Sequence, residues 1–137
     1  MRLLWVLARW SPVLLASAAI FLLSSRSDIP DLGYHFPHRD KVAHVGIYGF
    51  WGFLFCASAR RQWPGIPRIR GILLAALAGL VYGASDEIHQ IFVPRRSADL
   101  ADLGADVLGA FLGGWAHALG LGLWSRHRAA DPERRTP

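Results

Sequence analysis

An all-α bundle of four transmembrane helices, with both termini cytoplasmic, is the fold class this sequence predicts. Composition points to it first, because 53% of the 137 residues are hydrophobic and only 18% are charged. The charges also fall in short clusters between long apolar runs, a pattern suited to lipid. Finally, four of those runs reach or approach the roughly 20 residues that a helix needs to cross the hydrocarbon.

The first run, Leu3 to Ser25, carries Arg9 close enough to its end to snorkel outward, and Pro12, which a membrane helix tolerates at the cost of a kink. Cleavage as a signal peptide is a rival reading, since Arg2 precedes the run and Ala16-Ser17-Ala18 has the small residues of a cleavage site. Against it, apolar sequence continues through Ile20 to Leu23. The second run, Val42 to Ala59, ends in small residues before Arg60 and Arg61. The third and fourth, Gly71 to Val93 and Leu103 to Ser125, each carry acidic residues near one end only. Residues 1–125 therefore read as one membrane domain and 126–137 as a polar cytoplasmic tail.

Charge sets the orientation. The amino end, the segment from Arg60 to Arg70 and the tail hold ten of the fifteen Lys and Arg, whereas Arg26, Arg39, Lys41, Arg95 and Arg96 lie on the other side. Under the positive-inside rule both termini face the cytoplasm, and loops 26–41 and 94–102, which hold five of the ten acids, face out. A multi-pass protein of the bacterial inner or plasma membrane follows, with the lipid bilayer as its first partner. The formal net charge of +5 does not argue for nucleic acid, because the arginines flank apolar runs, where topology and anionic headgroups account for them. The lone Cys56 excludes an intramolecular disulfide.

Polar residues then converge in depth. His44 and Tyr48, four apart, share a face at the start of the second helix, beside Asp40 and Lys41. Tyr82, Asp86 and Gln90 form a second ladder of the same spacing near the end of the third helix, flanked by Glu87 and His89. Asp102 and Asp106 form a third, entering the fourth helix. At 1.5 Å per residue all three lie within roughly 10 Å of the outer boundary, which predicts one shared site. Acids at such depth cost up to about 2.5 to 3.5 kcal/mol unless they face the bundle interior or a wet cavity, and Lys41, His44, Arg95 and Arg96 are the cations expected to meet Asp86 and Glu87.

Several of these strings, taken in order, resemble the VanZ-like family of small membrane proteins: Asp40-Lys41-Val42-Ala43-His44; Asp86-Glu87-Ile88-His89-Gln90-Ile91-Phe92-Val93-Pro94; Arg96; and Asp102, Asp106, Gly109 and Gly113. The resemblance spans residues 40–113, and the ordered set is more specific than any one piece. Arg95 departs from it by standing where Gly commonly precedes the Arg, and Asp106 by standing where Asn is frequent. What the resemblance implies is envelope biology, the family's namesake being associated with low-level resistance to the glycopeptide teicoplanin; it implies no particular reaction.

Two functional classes remain. In one, the cup binds a lipid-linked cell-wall intermediate or an anionic headgroup, with Asp40, Lys41, Tyr48, Tyr82, Gln90, Arg95, Arg96, Asp102 and Asp106 as ligand-binding residues. In the other, an intramembrane enzyme acts on the same class of molecule through Glu87 or Asp86 as general base and His44 as its acid or orienting partner. A purely structural ion-pair lattice is the plain alternative to both. No cofactor is expected, and no metal, because His44 lacks a His-x-x-x-His or Cys companion. Gly79-x-x-x-Gly83 and Gly109-x-x-x-Gly113 read as close helix contacts, His117 as a packing residue, and Trp5, Trp51, Trp63 and Trp124 as interfacial or lipid-facing aromatics.

Overall fold

The computed structural model describes residues 1–27 and 38–130, with side chains as far as Leu123. The middle of the predicted outer loop, the side chain of Trp124 and the end of the tail therefore lie outside the described residues. The described chain is all-helical: α1 (Arg2–Ser24), α2 (Arg39–Gln62), α3 (Arg68–Gln90) and α4 (Leu100–Ala130). All four are long and apolar enough to cross a membrane. Leu4, Leu15, Leu73, Val81 and Leu108 are among many large apolar side chains left exposed on the bundle, as lipid-facing surfaces require. The chain is a multi-pass membrane protein. α4 continues to Ala130, so the predicted tail from residue 126 begins as helix.

Small residues decide which helices come closest. A Cβ on Gly52 would lie 2.6 Å from the Ala110 Cα, one on Gly109 would meet the Val45 backbone, and one on Gly113 would overlap the Gly49 carbonyl. α2 and α4 thus touch backbone to backbone, a contact that dispersion between flat surfaces stabilises in lipid. Gly79 makes the corresponding contact from α3, where an added Cβ would sit 2.6 Å from the Ala110 Cβ.

α1 joins through aromatic and hydroxyl contacts. The Trp51 indole N–H donates to the Ser17 hydroxyl at 2.8 Å, and the Tyr82 hydroxyl donates to the Ser17 carbonyl at 2.6 Å. These bonds tie the Ala16-Ser17-Ala18 segment into the bundle, and α1 is helical on both sides of it and through Pro12. Val13 and Ile20 of α1 pack with Tyr48, Trp51 and Ala110 in the core. Trp51 is accordingly a core residue, only 3% exposed, and not the lipid-facing aromatic the sequence predicts. Its ring lies parallel to Tyr82 with centroids 5.8 Å apart, an arrangement that a span-by-span reading cannot detect. Trp5 and Trp63 are exposed, and His117 packs edge-on against Phe53 at 5.2 Å.

Candidate functional site

At one end of the bundle the start of α2, the end of α3 and the start of α4 come together, and their polar residues form two tiers. The outer tier is organised by Lys41. Its ammonium lies 2.9 Å from Asp40, 2.6 Å from Asp99 and 2.7 Å from Asp102. Asp99 immediately precedes α4, and its Oδ1 accepts the Ala101 N–H at 2.8 Å, the bond of a helix N-cap. The hydrogen bond from Lys41 holds the Asp99 carboxyl below its ordinary value. Asp102, in the first turn of α4, gains further from the positive end of the helix.

The inner tier is organised by His44. Its Nδ1 lies 2.8 Å from Oδ1 of Asp106, a residue with no exposed surface, and its Nε2 is 3.9 Å from Asp102. Gly83 on α3 makes room for this carboxylate, since a Cβ there would lie 2.8 Å from Asp106 Oδ2. Glu87 accepts the Asp99 N–H on Oε2 at 2.6 Å, which fixes the acid against the N-terminus of α4. Asp86 accepts the Gln90 amide at 3.1 Å across one turn of α3. Three buried oxygens, Asp86 Oδ1, Glu87 Oε1 and Asp106 Oδ2, have no hydrogen-bond partner among the described residues. One ligand atom each from His44, Glu87 and Asp106 all lie within 4.8 Å of one another.

Beside these tiers opens a cavity of about 370 Å³. Ile20, Leu23, Ala43 and Ile47 give it an apolar wall, while Arg95, Arg96, Asp99 and Asp102 give it a charged rim. His44, Tyr48, Asp86 and Gln90 also line it. Arg95 sits at φ 63°, in the left-handed region, at the position where the sequence pattern favours Gly. The turn keeps the glycine conformation without the glycine.

The three ladders of the sequence do meet, but two expectations change. Lys41 engages Asp40, Asp99 and Asp102, whereas among the described residues no Lys, Arg or His lies within ion-pair distance of Asp86 or Glu87. The reason is the N-cap of α4, which occupies Glu87 with a backbone N–H. Tyr82 turns its hydroxyl to α1 and so leaves the cup. His89 likewise faces α1, bonding the Ser25 hydroxyl at 2.9 Å and packing on Phe21.

Asp99 and the α1 wall are the parts that residue reasoning passed over. An Asp directly before an apolar helical run is an N-cap signal and could have identified Asp99. The α1 wall carries no polar signal, because Ile20 and Leu23 look like any lipid-facing residues in sequence.

No curated protein and no solved structure matches the chain. A family model described as VanZ/LLP1 matches residues 3–120, from the start of α1 to well within α4 and through every helix that builds the cavity. That match covers most of the chain, and this four-helix membrane protein belongs to the VanZ/LLP1 family.

Proposed function

We propose that the protein binds the phosphate-bearing head of a membrane lipid, of the class of lipid-linked cell-wall intermediates, in the cavity between α1, α2 and the 91–99 turn. The carrying observation is that one cavity has an apolar wall and a rim with both signs of charge. An amphiphile fits such a space: Ile20, Leu23 and Ile47 meet the first methylenes, Arg95 and Arg96 meet phosphate, and Asp40, Asp99 and Asp102 meet amine or sugar hydroxyls. In this reading the cavity faces outward across a bacterial cell membrane, both ends of the chain are cytoplasmic, and a link to glycopeptide (teicoplanin) tolerance rests on the family alone.

Lipid extracts from protein purified in mild detergent test this reading by mass spectrometry. A phosphate-bearing lipid should be enriched over the bulk membrane, and Arg96→Gln should reduce that enrichment by roughly tenfold, as loss of a charge-assisted contact of about 1.5 kcal/mol would. Recovery of bulk lipid only, unchanged by Arg96→Gln, would sink it.

A second reading, an intramembrane enzyme, is favoured by one observation. Glu87 is 6% exposed and keeps Oε1 without a partner beside His44, the arrangement of a general base waiting for a proton. Grading separates the two. Glu87→Gln would abolish turnover of an envelope lipid or peptidoglycan precursor, whereas a binding cup loses affinity by degrees at several positions. Profiling those molecules with and without the protein identifies which applies.

A further inference from the structure

The inner tier carries an arrangement that lipid binding does not use. Glu87 and Asp106 are 6% and 0% exposed, and each keeps one carboxylate oxygen without a partner. Both stand by the imidazole of His44, with one donor atom from each residue inside a 4.8 Å span. Two ionised carboxylates held together away from solvent are unfavourable unless a cation lies between them or one takes up a proton, and a dication relieves both charges at once. Lys41 cannot serve, since Asp40, Asp99 and Asp102 share its ammonium, and His44 brings at most one positive charge.

We infer that His44, Glu87 and Asp106 bind one divalent transition-metal ion, of the Zn²⁺ or Mn²⁺ class, beside the cavity. One imidazole nitrogen and two carboxylate oxygens are a donor set for these ions, whereas sites for Mg²⁺ and Ca²⁺ are built from oxygen. Ligand atoms bonded to such an ion at about 2.0 to 2.2 Å stand roughly 3 to 4 Å apart, so the three groups need close by only about an ångström. The surroundings are those of an oriented site. The Asp99 N–H fixes Oε2 of Glu87 and leaves Oε1 to ligate, and Asp102 stands 3.9 Å from the other imidazole nitrogen. Gly83 admits Asp106 Oδ2 where any side chain would crowd it. The dication balances the two carboxylates, and three protein ligands leave coordination positions open. His44 also lines the cavity, so a molecule held there would approach the ion. The inference does not depend on lipid being the occupant.

The test uses the full chain in detergent, stripped with chelator and titrated with ZnCl₂ or MnCl₂ alone, with binding read by calorimetry and by the rise in thermal midpoint. About one ion per chain is expected. The near-isosteric Glu87→Gln and Asp106→Asn, and also His44→Ala, should each weaken it at least about 100-fold, since removing outer-shell partners alone costs 10- to 100-fold. His117→Gln, which removes an imidazole outside the triad and the cavity and packed on Phe53, should retain binding. As a readout that needs no variant, Co²⁺ added to the native chain should give a visible absorption spectrum with nitrogen and oxygen ligands. No saturable binding to the native chain, binding that survives His44→Ala, or binding lost in His117→Gln would each overturn the inference. Loss of the lipid enrichment with metal binding intact would overturn the lipid reading and leave this one standing.

Discussion

Nδ1 of His44 lies 2.8 Å from Oδ1 of Asp106, and the carboxylate it meets is sealed from solvent by α2, α3 and α4. One member of this pair cannot be removed without consequence for the other. His44→Ala leaves a buried carboxylate with no cation within ion-pair distance among the described residues, a change that costs about 3 to 5 kcal/mol in buried pairs. Adding Asp106→Asn removes the stranded charge and should recover much of that loss. The midpoints of thermal unfolding in detergent for both single variants and the double variant check it. Equal midpoints for His44→Ala and the double variant would show that the pair is not coupled.

The α2–α4 contact gives a prediction with its own control. In Gly113→Ala the new methyl overlaps the Gly49 backbone, which cannot rotate aside as a side chain can, so the helices must separate along their length. Gly104→Ala, on the same helix, meets nothing within 4 Å. The first should lower the amount of folded protein and the thermal midpoint, by an effect of about 1 to 3 kcal/mol, and the second should be neutral or slightly stabilising. Parallel expression and melting of the two variants tests it, and similar behaviour would refute the close-packing account.

The fold was legible because lipid imposes one rule on every span, and each of the four runs obeys it. The depth of the polar ladders was legible for a similar reason: spacing by four places Asp102 with Asp106, and His44 with Tyr48, on one face whatever the tertiary structure. Partner choice was not legible. Lys41 could reach any acid at its level, and only the N-cap geometry at Asp99 assigns Lys41 to the α4 start and turns Glu87 toward a backbone N–H. Trp51 and Tyr82 were misread because their hydrogen bonds go to Ser17 of α1, whose small neighbours in sequence suggest a cleavage site and give no sign of a helix contact.

Arg95 carries a backbone conformation that suits Gly, with φ 63°. A non-glycine residue pays roughly 1 to 2 kcal/mol to sit there. Arg95→Gly should therefore raise the thermal midpoint while weakening capture of a phosphate-bearing lipid, because it removes a rim arginine. Arg95→Ala loses the guanidinium without gaining the freedom, and should weaken capture with no rise in midpoint. Measuring both properties on both variants separates the two roles of one residue, and a midpoint that falls in Arg95→Gly would show that the arginine's contacts outweigh the strain.

Orientation decides which compartment supplies the ligand. Ten of the fifteen Lys and Arg belong to the amino end, the Arg60–Arg70 segment and the carboxyl-terminal segment, and the positive-inside rule predicts that these face the cytoplasm. The 91–99 turn, with its exposed Ala98, is then external. The chain suits a cysteine-labelling test, because its single native thiol, Cys56, is 3% exposed and donates to the Gly71 carbonyl, and so contributes little background. Ala98→Cys should react with a membrane-impermeant maleimide in intact cells. Gly65→Cys, in the turn between α2 and α3 where an added Cβ meets nothing within 4 Å, should react only after permeabilisation. The reverse pattern would turn the cavity toward the cytoplasm. It would leave the His44, Glu87 and Asp106 cluster as described, but would replace an externally exposed headgroup with one presented from the cytoplasmic leaflet.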